Sequence, residues 1–162
     1  MNLQTSDQDL VFMRMAIELA AEHMRAKEGG PFGALITRGS EIVARGWNKV
    51  TSSNDPTAHA EMTAIRAAAA ALGSIQLRGC VLYTSCEPCP MCLGAAYWAR
   101  VDRLVFAANR HDAAEAGFDD EQIYSELAHP PFSRKLPTQQ ALREKAVEVL
   151  AEWRHMPDKI PY

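Results

Sequence analysis

The chain reads as an α/β protein: a three-layer α/β/α domain around a mixed sheet. Segments with helical apolar spacing alternate along it with short strand-like runs, the first two strand-like runs are joined by a tight glycine-containing turn, and glycine or proline stands where each pattern stops. Leu10, Met13, Ile17, Ala20, Ala21 and Met24 recur at helical spacing, and Ser6 with Asp9 forms the pattern of a capping box ahead of them. This first helix should end near Gly29-Gly30-Pro31. Gly33 to Thr37 and Glu41 to Ala44 flank Arg38-Gly39-Ser40 and predict a hairpin. A polar loop, Thr51 to Pro56, leads to His59, where a run of strong helix formers from Ala60 to Leu72 begins and Gly73 ends it.

Cys80 to Thr84 predicts a third strand, and Pro90 suits the first position of a helix through Leu93, Ala96 and Tyr97, which leaves Cys89 at its mouth. Arg103 to Ala108 predicts a fourth strand, and Asp112 to Leu127 is helical or loop-like. Leu142, Val149, Leu150 and Trp153 give helical spacing to Gln139–Trp153, and Pro157 and Pro161 make the end of the chain extended. No internal repeat interrupts this order.

A length of 162 residues suits one domain over 1–162, able to bury roughly two thirds of its unfolded surface. Hydrophobic residues at 48% and charged residues at 23% are globular values, and the net charge of −3 argues against a protein devoted to phosphate backbones. The N-terminus lacks a basic stretch followed by an apolar run, and no apolar run is long enough to span a bilayer; the expectation is a cytoplasmic protein that does not engage membranes. Of the four cysteines, Cys86, Cys89 and Cys92 fall within seven residues, a spacing suited to a metal in a reducing compartment rather than to disulfides.

The chemistry concentrates in His59-Ala60-Glu61 and Pro88-Cys89-Pro90-Met91-Cys92. One imidazole, two thiols and a spare carboxylate are what a catalytic zinc with an open fourth position needs, and a histidine-x-glutamate followed by Pro-Cys-x-x-Cys is the zinc deaminase signature. Residues two apart do not share a helix face, so His59 and Glu61 can converge only at a helix end. Both ligand groups fall at such ends. Two thiolates and a neutral imidazole cancel the charge of zinc, so a nearby base is required, and Glu61 fits as proton shuttle. The competing reading is a structural site, with Cys86-x-x-Cys89-x-x-Cys92 as part of an iron–sulfur run and Cys80 as a fourth thiol. Ala96 stands where the next cysteine of such a run would be, and Cys80 and Cys86 then read as small residues of the core or behind the ligands.

Together with Thr84-Ser85-Cys86-Glu87 ahead of Pro88, these motifs resemble the cytidine deaminase superfamily, whose fold is a five-stranded mixed sheet between helices. More narrowly the chain is similar to bacterial guanine deaminases, through Gly30 to Ala34, Asn54 to Ala58, Tyr97 to Arg100, the stretch Ala114-Glu115-Ala116-Gly117-Phe118-Asp119-Asp120 and a terminal tyrosine. The resemblance implies one zinc per chain on His59, Cys89 and Cys92, with Glu61 and Asp120 moving protons. It also implies substrate contacts from Phe32, Asn48, Ala60, Trp98, Asp120 and Tyr162. The implied reaction is deamination of guanine to xanthine and ammonia, by attack of zinc-activated water on the amine-bearing carbon. The implied assembly is a homodimer that exchanges its C-terminal segment, 155–162, so that Tyr162 closes the partner's site.

Aromatic faces and fixed polar groups suit a flat purine base, and Asn48 offers a donor and an acceptor. Read by themselves, Asn48 is a loop residue, Phe32 and Trp98 are core aromatics, Asp119 and Asp120 a solvated acidic pair and Tyr162 a frayed end. A transfer-RNA adenosine deaminase shares the metal motifs but needs a basic surface, and Arg134, Lys135, Arg143, Lys145 and Arg154 are interleaved with Glu144, Glu148 and Glu152. A nucleic-acid partner is therefore disfavoured. Another small aminopurine, triazine or nucleoside is the third candidate substrate.

Overall fold

The computed structural model describes residues 4–161, which fall into two compact units, one ending at Asp120 and the other beginning at Glu121. In the first unit, α1 (Asp7–Arg25) starts behind Ser6. The Ser6 Oγ accepts the Asp9 N–H (3.1 Å) and the Asp9 carboxyl accepts the Ser6 N–H (2.8 Å), so the capping box foreseen from the sequence is present. β1 (Gly33–Arg38) and β2 (Glu41–Trp47) form the antiparallel hairpin, with β2 three residues longer than its apolar run. Within it Ile36 faces Ala44 and Thr37 faces Ile42, which leaves Val43 as an extra, bulged residue. The bulge is why Ile42-Val43-Ala44 is apolar without a break: Ile42 packs on one side of the sheet, and Val43 and Ala44 both pack on the other.

The polar loop contains one short helical turn, α2 (Val50–Ser53), and α3 (Ala60–Leu72) then runs from His59 to a left-handed Gly73. β3 (Cys80–Cys86), α4 (Pro90–Trp98), β4 (Arg103–Ala108) and α5 (Arg110–Glu115) complete the unit. The sheet order is β2-β1-β3-β4, with β1–β3 antiparallel and β3–β4 parallel. It is a mixed sheet of four strands among the described residues, not the five that the resemblance implied. After Ala108 the chain enters α5 at once, and the regular elements beyond it are helical.

The strand pleat divides the core in two. Leu35 and Tyr83 turn toward Phe12, Met13 and Ala16 of α1, while Ala34, Ile36 and Leu82 turn toward Ala60, Ala64 and Ala68 of α3 and Ala96 of α4. This is the expected α/β/α layering. Each fully buried Leu or Ile contributes roughly 1.5–3 kcal/mol of transfer free energy. The approach of α3 is set by Gly46: a Cβ there would lie 2.3 Å from the Ala60 carbonyl oxygen and 2.4 Å from the Ala64 nitrogen. Only glycine lets the first turn of α3 lie directly on β2.

On the other face a buried polar cluster ties α1 to β3 and β4. Tyr83 donates to Asp9 Oδ1 (2.5 Å), Arg103 Nη1 donates to Asp9 Oδ2 (3.1 Å), and Arg103 Nη2 bonds both Asp9 Oδ1 and the Tyr83 hydroxyl. The Arg103 guanidinium, against the opposing effect of burial, holds the Asp9 carboxyl well below the usual carboxylate range. Burial, and then the hydrogen bond to Asp9, push Tyr83 up to about 12.

The second unit contains α6 (Glu121–Leu127), a 3₁₀ turn at Pro131–Ser133 and α7 (Arg143–His155). The region read as helical or loop-like from Asp112 to Leu127 is thus two helices, α5 and α6, separated by Gly117 with its φ of 90°. α7 starts four residues after Gln139 because Leu142 adopts a left-handed φ of 52°. Between α6 and α7, the Glu126 carboxyl accepts the Lys135 N–H (2.6 Å) and Arg134 Nε reaches the carbonyls of Glu126 and His129. At Met156 the chain leaves the helix, and Pro157 and Asp158 form a turn rather than the extended segment expected from the prolines. No described helix is long and apolar enough to cross a membrane.

Arg103→Ala should leave Asp9 buried without its cation and cost about 2–3 kcal/mol of unfolding free energy at pH 7. Because the folded value of Asp9 is depressed, its contribution is fully present above about pH 4 and is lost as the pH falls from there. Denaturant titrations from pH 7 to pH 2 should therefore show the gap between wild type and variant closing at acid pH.

Candidate active site

Two helix N-termini carry the metal ligands. His59 is the N-cap of α3 and Cys89 the N-cap of α4, both in extended backbone (ψ 160° and 167°) and neither using its side chain to cap. An N-cap residue normally spends its side chain on the first turn; these two send theirs elsewhere. His59 Nδ1 lies 3.6 Å from Cys89 Sγ and 3.5 Å from Cys92 Sγ, and the three donor atoms all lie within 4.8 Å of one another. Zinc bonds of about 2.0–2.1 Å to nitrogen and 2.3 Å to sulfur, arranged tetrahedrally, call for a nitrogen–sulfur spacing of roughly 3.6 Å. The donors fit zinc, through Nδ1 of His59. Cys92 is buried while His59 and Cys89 are only partly so, which leaves the cluster open on one side, as a catalytic site requires.

The electrostatics agree with a site built for a cation. The Cys89 thiol is held well below the ordinary thiol range, first by the hydrogen bond from Cys92 and then by His59, and the same bond keeps the proton on Cys92. In turn the Cys89 sulfur draws His59 toward its protonated form. A dication bound there would displace the protons of these groups. Glu61, 6% exposed, sits in the first turn of α3 with its carboxyl against Cys92, and burial raises its pKa. Cys86 is different: burial pushes its thiol up to about 11 and its Sγ bonds the Asn109 carbonyl (3.7 Å). Cys80, the first residue of β3, is buried in the core. Neither joins the donor cluster among the described residues, so the iron–sulfur arrangement is not formed.

Asn48 is a loop residue, as its sequence setting suggested, directly after β2, and it is buried. Its Oδ1 accepts the N–H groups of Gly30 and Val50 (both 3.2 Å), which fixes the amide plane and commits its oxygen to the protein. Gly29 is needed here, since a Cβ would fall 1.8 Å from the Asn48 carbonyl oxygen. Phe32, next on this loop, packs edge-on against Phe118 with ring centroids 4.9 Å apart. Asp120 stands close enough to feel the Cys89 charge; burial foremost, and then that charge, raise its pKa. The backbone of Ala60 opens α3 between His59 and Glu61. Ala60 thus lies between the ligand His59 and Glu61, and Asp120 lies within the field of Cys89, while Asn48 is joined to the Phe32 loop through its N–H, which donates to the Phe32 carbonyl (3.0 Å).

Trp98 ends α4, at the opposite end from Cys89, and is 65% exposed beside Tyr97 in a shallow concavity with Gly94 and Arg100. Tyr162 lies outside the described residues. Phe118 and Glu87 are not singled out by the sequence. Phe118 is read there as one member of a motif, and nothing in periodicity or spacing foretells its meeting with Phe32.

Residues 6–108 match the family described as the cytidine and deoxycytidylate deaminase zinc-binding region. The chain is 52% identical to a guanine deaminase of Bacillus subtilis over 93% of its own length and 97% of that protein's. It is 34% identical to a tRNA-specific adenosine deaminase of Aquifex aeolicus, over 88% and 91% of the two lengths. Among solved structures, guanine deaminase from Bacillus subtilis superposes with a TM-score of 0.92 at 51% identity, covering 94% of this chain and 98% of that one.

Replacing Cys89 or Cys92 by alanine should remove a thiolate that no neighbour can supply. Purified variants should hold less than about a tenth of the zinc per chain found in wild type, and elemental analysis measures this directly.

Proposed function

The chain belongs to the cytidine and deoxycytidylate deaminase zinc-binding family, and from that premise we propose that it is a zinc-dependent guanine deaminase, converting guanine and water to xanthine and ammonia. One observation carries the reading: a buried carboxyl, Glu61, stands beside a three-donor cluster in a chain similar to a guanine deaminase along 97% of that relative's length. His59, Cys89 and Cys92 hold the metal. When bound, zinc supplies the Lewis acidity that makes water nucleophilic near neutral pH.

The chain's own residues then do the rest. Glu61 takes a proton from the water as its oxygen bonds to the amine-bearing carbon, and passes it to the adjacent ring nitrogen. Collapse breaks the carbon–nitrogen bond, and Asp120 assists proton delivery to the departing ammonia. Asn48, whose oxygen is committed to Gly30 and Val50, presents its amino group as a donor to an acceptor on the purine edge. Phe32 offers an aromatic face to the ring, Trp98, at the far end of α4, is left to the pairing surface, and the Ala60 backbone, at the open end of α3, offers an orphan N–H.

The chain acts as one deaminase domain in the cytoplasm, paired with a second copy, with Tyr162 of the exchanged tail completing the partner's site. Three features support the pairing. Leu136, Leu142, Val149, Leu150 and Ile160 are exposed in the second unit, Trp98 and Tyr97 are exposed in the first, and the helix α7 ends at His155, ahead of the last residues. Such apolar surface calls for a covering partner.

Ammonia release should be measured from guanine, guanosine, adenine, cytosine and an anticodon stem-loop with one zinc-loaded preparation. Guanine should be the best substrate; an inert guanine with a reactive RNA would make the chain a transfer-RNA deaminase instead. Glu61→Gln should keep its zinc and lose at least about 100-fold in kcat, and near-normal turnover would exclude Glu61 as the shuttle. Deleting 157–162 should impair kcat/KM with zinc content unchanged, whereas full activity would dismiss the exchanged tail.

A further inference from the structure

Glu87 has no role in the chemistry above, yet its side chain and backbone join the two loops that carry that chemistry. It lies between the end of β3 and the ligand Cys89. Its N–H donates to the Ala108 carbonyl (2.8 Å), and its Oε2 accepts the N–H of Arg110 (3.0 Å). The preceding Cys86 pairs with Ala108 in the sheet and hydrogen-bonds through Sγ to the Asn109 carbonyl (3.7 Å). The parallel pairing of β3 and β4 is thus continued past the sheet, into the loop that bears Cys89 and the loop that opens α5.

The bond to Arg110 fills a specific vacancy. The first N–H groups of a helix have no partner inside it. In α5, Asn109 Oδ1 takes the N–H groups of His111 (2.8 Å) and Asp112 (3.1 Å), which leaves that of Arg110 to Glu87. From this anchored start α5 runs only to Glu115. Gly117, at φ 90°, then turns the chain back so that the Phe118 N–H reaches the Ala113 carbonyl (2.9 Å) and its ring meets Phe32. Asp120 comes two residues later, within the field of both Arg110 and Cys89.

We propose that Glu87 is a positioning residue for substrate recognition: its carboxyl oxygen locks the first residue of α5 to the metal-bearing loop and so fixes Phe118 and Asp120 relative to the His59–Cys89–Cys92 cluster. The proposal rests on the guanine deaminase reading and names a specificity element within it. Glutamine keeps a carbonyl oxygen at the same reach, alanine removes it, and aspartate keeps the carboxyl but falls one methylene short.

The test compares zinc-loaded wild type, Glu87→Gln, Glu87→Ala and Glu87→Asp by zinc content, guanine kinetics and amide hydrogen exchange. Alanine and aspartate should keep one zinc per chain, raise KM for guanine about tenfold with a smaller loss in kcat, and speed exchange at the Arg110 amide about tenfold. Exchange in α1 and β1 should stay at wild-type rates, and glutamine should restore both readouts to within about threefold of wild type. Normal KM in the alanine variant, or zinc loss and faster exchange throughout the first unit, would overturn the positioning role. If alanine does not fold, the aspartate variant decides in the same way. A wild type inert toward guanine would overturn the functional reading itself, whereas an active wild type with an indifferent alanine variant overturns only the role of Glu87.

Discussion

Everything at the site depends on two helix N-termini pointing at one place. His59 and Cys89 are thirty residues apart, and their donor atoms meet only because α3 and α4 pack on the same face of the sheet. That constraint reaches far into the sequence. It requires alanines on the inner side of α3, glycine at position 46 beneath them, and a strand of fixed length between the two helices. The N-cap position solves a further problem: a side chain there leaves the helix along its axis, free of the face rule that separates residues two apart inside a helix. His59 can therefore aim at a metal while Glu61 reaches the same region from the first turn.

The opposite face of the sheet performs a different task. There α1 is joined to β3 and β4 by the Asp9–Tyr83–Arg103 cluster, where a buried carboxylate is matched by a cation and a phenol. The metal-bearing face contains small residues and close backbone contacts; the α1 face contains Phe12, Met13, Leu35 and Tyr83. The two faces draw on alternate residues of the same strands, so Ile36 serves one and Leu35 the other.

Local signals made much of this legible in the sequence. Ser6 with Asp9, Pro90 and Gly73 mark helix ends by chemistry that acts within four residues, and the structure uses all three. The metal donors were legible for the same reason, since their motifs encode which atoms sit at a helix mouth. The hidden part was non-local. The bulge at Val43 is a matter of register between two strands, α2 is a single turn in a run of polar residues, and the meeting of Phe32 with Phe118 joins segments 86 residues apart. Asn48 was legible as a loop residue but not as a buried one, since the two backbone donors that hold it inside come from Gly30, distant in sequence, and from Val50. The fifth strand came from resemblance alone, and the described chain after Ala108 is helical where it is regular.

Gly46 carries one more implication. With no side chain at position 46, the first turn of α3, which carries Glu61 and follows His59, rests there main chain on main chain. On warming, such a seat stays true until the layer beneath it separates as a whole, so loss of catalysis and loss of the fold should coincide in one cooperative step.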